Sequence, residues 1–339
     1  MIPQDKSAAV SRGLQEAFGT TTIDEISRMT RGLSSDLVFR IAVKGSPYLL
    51  RIMTRISEQM DPHRIYACMI AASDAGLTPH VHYASTDDGV SITDFVEASP
   101  LPLSEASQLL PRTLRALHSL PPFPREFNFV TAHKGFIWRF RDAALMPRQE
   151  VDEAFEHYSR ICETYPRLDT DMVSSHMDLK PDNILYDGRS IWLVDWQAAF
   201  LNDRYFDLSV VANYLVSTES DEYTLLETYF NHSPDEYERA RFFLMRQALH
   251  MLSSAVFLML GSGGKPVGEI SNPPSFEDFY GKVWAGEVNF ADKEQQIHSG
   301  LVHWKRLLHN IRQPRCAESL QIVSSRNAES TRKLLPSAP

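Results

Sequence analysis

Residues 175–195 carry the chemistry that is most legible in this chain. Ser175-His176-Met177-Asp178-Leu179-Lys180-Pro181-Asp182-Asn183-Ile184-Leu185 is followed, after a turn, by Leu193-Val194-Asp195-Trp196. The pattern is H-x-D-x-x-x-x-N, then an apolar strand, then an aspartate. Asp178 can take or orient the proton of a substrate hydroxyl. Asn183 and Asp195 are oxygen donors at a spacing that can hold Mg²⁺ against a nucleoside triphosphate. The context agrees with the motif. Met172-Val173 leads in as a short apolar run. Asn183 to Tyr186, a turn at Asp187-Gly188, and Ile191 to Val194 predict a β-hairpin. Asp195 then ends a strand that folds back toward the loop bearing Asp178. The competing reading is a surface loop in which Asp178 caps a helix and Asn183 makes an Asx turn. It leaves the agreement of motif and context unexplained.

The flanking sequence predicts what positions this segment. Residues 6–19 read as a helix ended by Gly19, with Ala8, Val10, Leu14, Ala17 and Phe18 roughly on one face. Ile23 to Gly45 reads as two strands joined at 30–36. A turn at 44–47 leads to a third strand, Tyr48 to Met53. A helix near 61–74 stops at Gly76, and strands follow at Val81–Ser85 and Val90–Phe95. Helices dominate from Ser104 on, apart from the hairpin. Pro100 and Pro102 mark the boundary between a β-rich part and a helical part. Three regions are expected: 1–97, 98–312 with the catalytic loop and acceptor site, and a disordered Ser-, Arg-, Lys- and Pro-rich tail over 313–339.

Composition narrows the class. With 339 residues the chain can hold two cored domains. Its 34 basic against 43 acidic residues leave a net charge of −9. That balance disfavours a general nucleic-acid binder and mildly favours a cationic small substrate, though it speaks mostly to solubility. The stretch Ala255 to Leu260 reads as a buried helix rather than a membrane span, and the first residues lack a signal-peptide core. Cys68, Cys162 and Cys316 are too widely spaced for a metal or disulfide pattern, so a cytoplasmic protein with reduced thiols is expected.

Taken together, these segments resemble the aminoglycoside phosphotransferase / choline-ethanolamine kinase family over roughly 22–260. The carriers are the 176–195 motif, Leu114-Arg115-Ala116-Leu117-His118-Ser119-Leu120-Pro121, the tract Asn202-Asp203-Arg204-Tyr205-Phe206-Asp207-Leu208, and Tyr48-Leu49-Leu50-Arg51-Ile52. The resemblance implies an α+β, bilobal protein-kinase-like fold, with an N-terminal antiparallel β-sheet lobe and a larger, mainly helical C-terminal lobe. It implies ATP and Mg²⁺ as cofactors and a small-molecule hydroxyl acceptor bearing an amine, choline- or ethanolamine-like or an amino sugar. Asp178 is the expected base. Lys180 either neutralises γ-phosphate charge or is a solvated lysine. Asn183 and Asp195 are the expected metal ligands. His176 and Asp207 support the loop, Asp207 with a helix-capping alternative.

Arg51 stands where kinases usually carry lysine, and a guanidinium can bind phosphate oxygens bidentately. The helix alignment puts Ile65, beside Arg64, where the family often has a glutamate. The carboxylate for Arg51 is then expected from Glu58 or Asp61, or is absent. Gly32, Ser34 and Ser35 form the candidate phosphate-covering turn. Asp94, Phe95 and Val96 are the hinge whose backbone would read adenine. Acceptor candidates are Glu219, Asp221, Glu222, Tyr280, Trp284 and Trp304, each of which has a core or surface alternative. Met245, Met251, Phe257 and Met259 read as core. Two other functions compete. A protein kinase is disfavoured because Trp196-Gln197 follows Asp195, and neither Ala-Pro-Glu nor G-x-G-x-x-G is present. A nucleotide-binding regulatory protein without transfer activity is motivated by the missing glutamate and opposed by the intact motif.

Overall fold

The computed structural model describes residues 2–29, 36–58, 60–124, 129–267 and 273–334. Helix α1 (Ser7–Phe18) precedes β1 (Glu25–Met29), β2 (Leu37–Val43) and β3 (Ser46–Ile52). Helix α2 (Pro62–Asp74) leads to β4 (Val81–Ser85) and β5 (Val90–Asp94). The five strands make one antiparallel sheet in the order β1-β2-β3-β5-β4. Alternation builds its core. Phe39, Ile41, Val43, Leu50, Ile52, Val90 and Ile92 cluster with Ala9, Val10 and Leu14 of α1. The same alternation turns Arg51 away from that core, in register between Val38 and Ser91. Lys44 and Gly45 both have positive φ, which the tight β2–β3 hairpin requires.

Further along come α3 (Leu103–His118), α4 (Phe129–Asp142), α5 (Arg148–Thr164), β6 (Met172–Ser175), β7 (Ile184–Tyr186), β8 (Ile191–Leu193) and β9 (Phe200–Asp203). The chain ends in α6 (Arg204–Leu215), α7 (Glu219–Phe230), α8 (Glu236–Ser262), α9 (Phe276–Trp284), α10 (Lys293–Ile311) and α11 (Pro314–Leu334). Two compact units result: Met1–Glu126 with Val173–Leu201, and Phe127–Met172 with Asn202–Pro339. This differs from a division at residue 97. The catalytic segment joins the sheet unit because Leu193 N–H donates to Leu77 O, Thr78 Oγ1 to Leu193 O, and Ser99 N–H to Tyr186 O. Bonds across such sequence separations leave no compositional mark.

In the helical unit, α8 packs against α4, α5, α6, α10 and α11. Gly300 of α10 permits its close approach to α8, since a Cβ there would lie 2.6 Å from Leu258 Cγ. By length and composition α8 could cross a membrane, yet 72% of its apolar window is buried inside the protein, as in a core helix. Over 314–334 the tail expected to be disordered is corrected by α11, and residues 335–339 of that tail fall outside the described residues. Cys316, Leu320 and Val323, at i, i+4 and i+7, form a buried stripe, and Asn327 Nδ2 donates to Thr164 O at the end of α5. Ser, Arg and Glu dilute that stripe in the sequence and hide its period.

Candidate active site

The hairpin β7–β8 pairs Ile184 with Leu193, and Val194 N–H donates to Asn183 O at 3.0 Å. Asn183 and Asp195 therefore leave the same end of one ladder. His176 is fully buried against Trp196, with ring centroids 4.8 Å apart. Its Nδ1 accepts from Asp178 N–H at 3.4 Å, which assigns the proton to Nε2, 3.0 Å from Val194 O. The ring thus ties the start of the catalytic loop to the strand end that carries Asp195.

Asp178 Oδ2 accepts from Lys180 Nζ at 2.8 Å and from Asn183 Nδ2 at 2.9 Å. Asn183 Nδ2 also donates to Asp178 O at 2.7 Å. With Oδ2 doubly engaged, Oδ1 is the Asp178 oxygen that could accept a further hydrogen bond. With its amide nitrogen engaged, Asn183 offers Oδ1 to a cation. Met177 and Asp195 both adopt positive φ, 65° and 69°. Neither is glycine, so two of the five non-glycine residues with positive φ among the described residues are the residue before Asp178 and Asp195 itself.

Arg51 crosses from β3 to this cluster. Its Nη2 donates to Asp195 Oδ1 and its Nε to Asp36 Oδ2, both at 3.0 Å. Burial works against the guanidinium charge, but Asp195 and Asp36 outweigh it and hold the pKa above the ordinary arginine value. The carboxylates on Arg51 are therefore neither Glu58 nor Asp61. Asp61 instead caps α2, accepting from His63 N–H at 3.0 Å. Asp36 lies just beyond the expected phosphate turn and was not singled out by motif. An acidic residue ending a loop is common, and only the fold reveals its partner. Gly32, Ser34 and Ser35 fall outside the described residues.

The model of the phosphotransferase enzyme family matches residues 25–243, well over half of the chain. The chain belongs to that family. The match spans the sheet, the 176–195 segment and Arg51, which lie together in one compact unit. LicA of Haemophilus influenzae is 23% identical over 218 residues, which cover 61% of this chain and 63% of that protein. The chain therefore spans less than two thirds of that relative. A choline/ethanolamine kinase family protein from Mesorhizobium loti shares the fold, with a TM-score of 0.63 and 19% identity over 96% of this chain and all of that one. Choline kinase LicA from Streptococcus pneumoniae aligns with a TM-score of 0.57 and 15% identity, over 84% of this chain and all of that one. The protein-kinase-like α+β architecture is thus the fold of this chain.

Other expected site residues sit as follows. Asp94 ends β5 with Oδ1 2.7 Å from His82 Nε2, and Phe95 lies under the Arg40 guanidinium at 5.1 Å. Val96, next in the segment, is half-buried. Asp207 is fully buried in the first turn of α6, but the cap of that helix is Asp203, which accepts from Tyr205 N–H. Among the acceptor candidates, Asp221 closes a capping box with Thr218. Glu222 is buried and ion-paired with Arg315 and Arg246. Trp304 is buried and donates to Glu150 Oε2 at 3.0 Å. These three do structural work, and Glu219 is exposed at the start of α7. Tyr280 and Trp284 instead flank Tyr214, with centroids 5.2 and 5.8 Å away, and make an aromatic cluster. A separate cavity of about 570 Å³ in the helical unit is lined by Met146, Glu150, Leu301, Trp304, Lys305 and Arg312. It contains none of the motif residues, so volume does not mark the chemistry here.

Proposed function

We propose that this phosphotransferase is an ATP-dependent small-molecule kinase that transfers the γ-phosphate to a hydroxyl of a cationic, amine-bearing acceptor. The observation that carries the reading is the convergence of Asp178, Lys180, Asn183, Asp195 and Arg51 from three separate stretches of sequence. Phosphoryl transfer through a loose transition state needs positioning and charge neutralisation more than a strong base. Asp178, held through Oδ2, orients the hydroxyl through Oδ1. Lys180 Nζ sits beside that carboxylate, where it can meet the charge of the transferring group. Arg51 offers the phosphates a cation of fixed orientation.

Asn183 Oδ1 and the Asp195 carboxylate are hard oxygen donors, which fits Mg²⁺. When bound there, Mg²⁺ would neutralise charge on the nucleotide phosphates. The backbone of Asp94, Phe95 and Val96 is the proposed reader of adenine. The acceptor is proposed to be a cationic amine. The protein names among the relatives, choline kinase and choline/ethanolamine kinase, point the same way. So does the negative net charge.

The test is ADP release with Mg-ATP across choline, ethanolamine, aminoglycosides and amino sugars. The expected result is one acceptor class well above the ATP-only background, with turnover cut about 1000-fold in Asp178→Ala while ATP binding persists. Full turnover in that variant would remove Asp178 from the mechanism. Absence of both turnover and ATP binding in the unaltered chain would overturn the kinase reading.

A further inference from the structure

We propose that Asp36, at the entry to β2, is the positioning residue that aims Arg51 at the nucleotide phosphates, in place of a carboxylate on α2. The inference rests on the kinase reading above.

Helix α2 presents a cation to this region, not an anion. The buried Arg64 guanidinium donates to Ala199 O at 2.5 Å and Gln197 O at 2.9 Å, and stacks 3.9 Å from the Phe200 ring centroid. It therefore grips the main chain that follows Asp195 and cannot neutralise Arg51. The counter-charge comes from β2 instead. Asp36 Oδ2 accepts from Arg51 Nε at 3.0 Å and Gln197 Nε2 at 2.6 Å, while Oδ1 accepts from Thr54 N–H at 3.3 Å.

The two carboxylates on Arg51 differ in a way that separates their roles. The Asp36 side chain is 1% exposed and that of Asp195 is 23% exposed. A buried carboxylate with several donors is fixed, because losing any partner leaves charge without solvent. The more exposed Asp195 reaches only the Nη2 end of the guanidinium. That end can turn from Asp195 to a phosphate oxygen when a nucleotide arrives, while the Nε–Asp36 bond keeps the plane of the fork. Gln197 completes the assembly. Its side chain holds Asp36 and its carbonyl holds Arg64, so one residue links the entry to β2, α2 and the segment after Asp195.

Binding of Mg-ATP and of adenosine to the full chain, measured by calorimetry for Asp36→Asn, tests this. The expected result is about tenfold weaker Mg-ATP binding, the loss of one charge-assisted bond, with adenosine affinity unchanged. A merely structural role would weaken both ligands alike. In an Arg51→Ala background, Asp36→Asn should have no further effect on Mg-ATP, because its action runs through Arg51. Equal losses for both ligands, or additive losses with Arg51→Ala, would overturn the proposal. So would unchanged Mg-ATP affinity in Asp36→Asn. If Asp36→Asn does not fold, Gln197→Met decides, since it removes one of the bonds that steady Asp36 and leaves its charge in place. A loss of about threefold confined to Mg-ATP supports the proposal, and no loss overturns it. Failure of the unaltered chain to bind Mg-ATP would sink the kinase reading itself. Normal wild-type binding that falls in Arg51→Ala but not in Asp36→Asn would sink the assignment of Asp36 alone.

Discussion

Two buried polar clusters, one in each compact unit, solve the same problem in opposite ways. Arg51, Asp36 and Asp195 keep their charges, paired and partly open to solvent on the Asp195 side. His250, His303 and Tyr280 give theirs up. Tyr280 Oη is bonded to His303 Nε2, and His303 Nδ1 lies 2.9 Å from His250 Nδ1, all within the buried core of α8, α9 and α10. Burial, with a smaller push from Arg306, pulls the His303 imidazole down to about 3. Burial likewise lowers His250 and raises the Tyr280 phenol. A chain keeps charge in its interior where geometry supplies partners or a ligand will, and neutralises it where nothing enters. By this contrast the first cluster reads as a site and the second as structure.

Four experiments would break or sharpen the contrast. The largest effect is expected at Trp304, a buried residue of the helical unit. Trp304→Ala should cost about 4 kcal/mol of stability by leaving a cavity and an unmet Glu150. At a temperature where it stays folded, its nucleotide affinity should be unchanged. A selective loss of acceptor binding in a stable variant would return Trp304 to the site. Next, Asp195→Ala should weaken Mg-ATP binding about 100-fold while moving Tm by only a few degrees. Equal binding with and without Mg²⁺ in the native chain would count against a metal role for Asp195.

The third concerns pH. In the unfolded chain His303 takes a proton below its ordinary 6.5, whereas the folded chain resists protonation down to about 3. Between these values the unfolded chain binds more protons, so stability present above pH 6.5 is lost as pH falls. The expected loss is about 1.4 kcal/mol per pH unit, or about 2 kcal/mol at pH 5. Urea melts from pH 7.5 to 5 should show at least this loss, since His250 is lowered as well, and His303→Gln should reduce the slope. An unchanged slope in that variant would place the titration elsewhere. The smallest effect belongs to the cap of α7. Thr218→Ala removes the bond to Asp221 N–H and should cost about 1 kcal/mol without altering any ligand affinity. An accompanying change in acceptor affinity would mean that Asp221 serves the site as well as the helix.

Legibility followed distance along the chain. The hairpin that sets Asn183 beside Val194 and Asp195 is local, so alternation and a turn at Asp187-Gly188 sufficed to read it. The sheet strands were legible for the same reason, as were α1 and α2. The α11 helix was missed because three buried residues among many polar ones carry a faint period. Glu222, Asp221 and Trp304 were eligible as acceptor ligands by type. Their real partners, Arg315, Thr218 and Glu150, are choices among many charged and polar side chains that composition cannot rank.

By itself, then, the sequence determined the residue types and their spacing: two carboxylates, an amide and a strand-borne arginine, which a loop and a hairpin convert into geometry. Only the tertiary structure decided how that arginine is held. Arg51 meets Asp195 across 144 positions and Asp36 across 15, while Arg64 turns to the main chain at 197–199. The physical reason is that an ion pair depends on distance and burial, which long-range packing sets, and a charged residue type says nothing about which partner packing will bring to it.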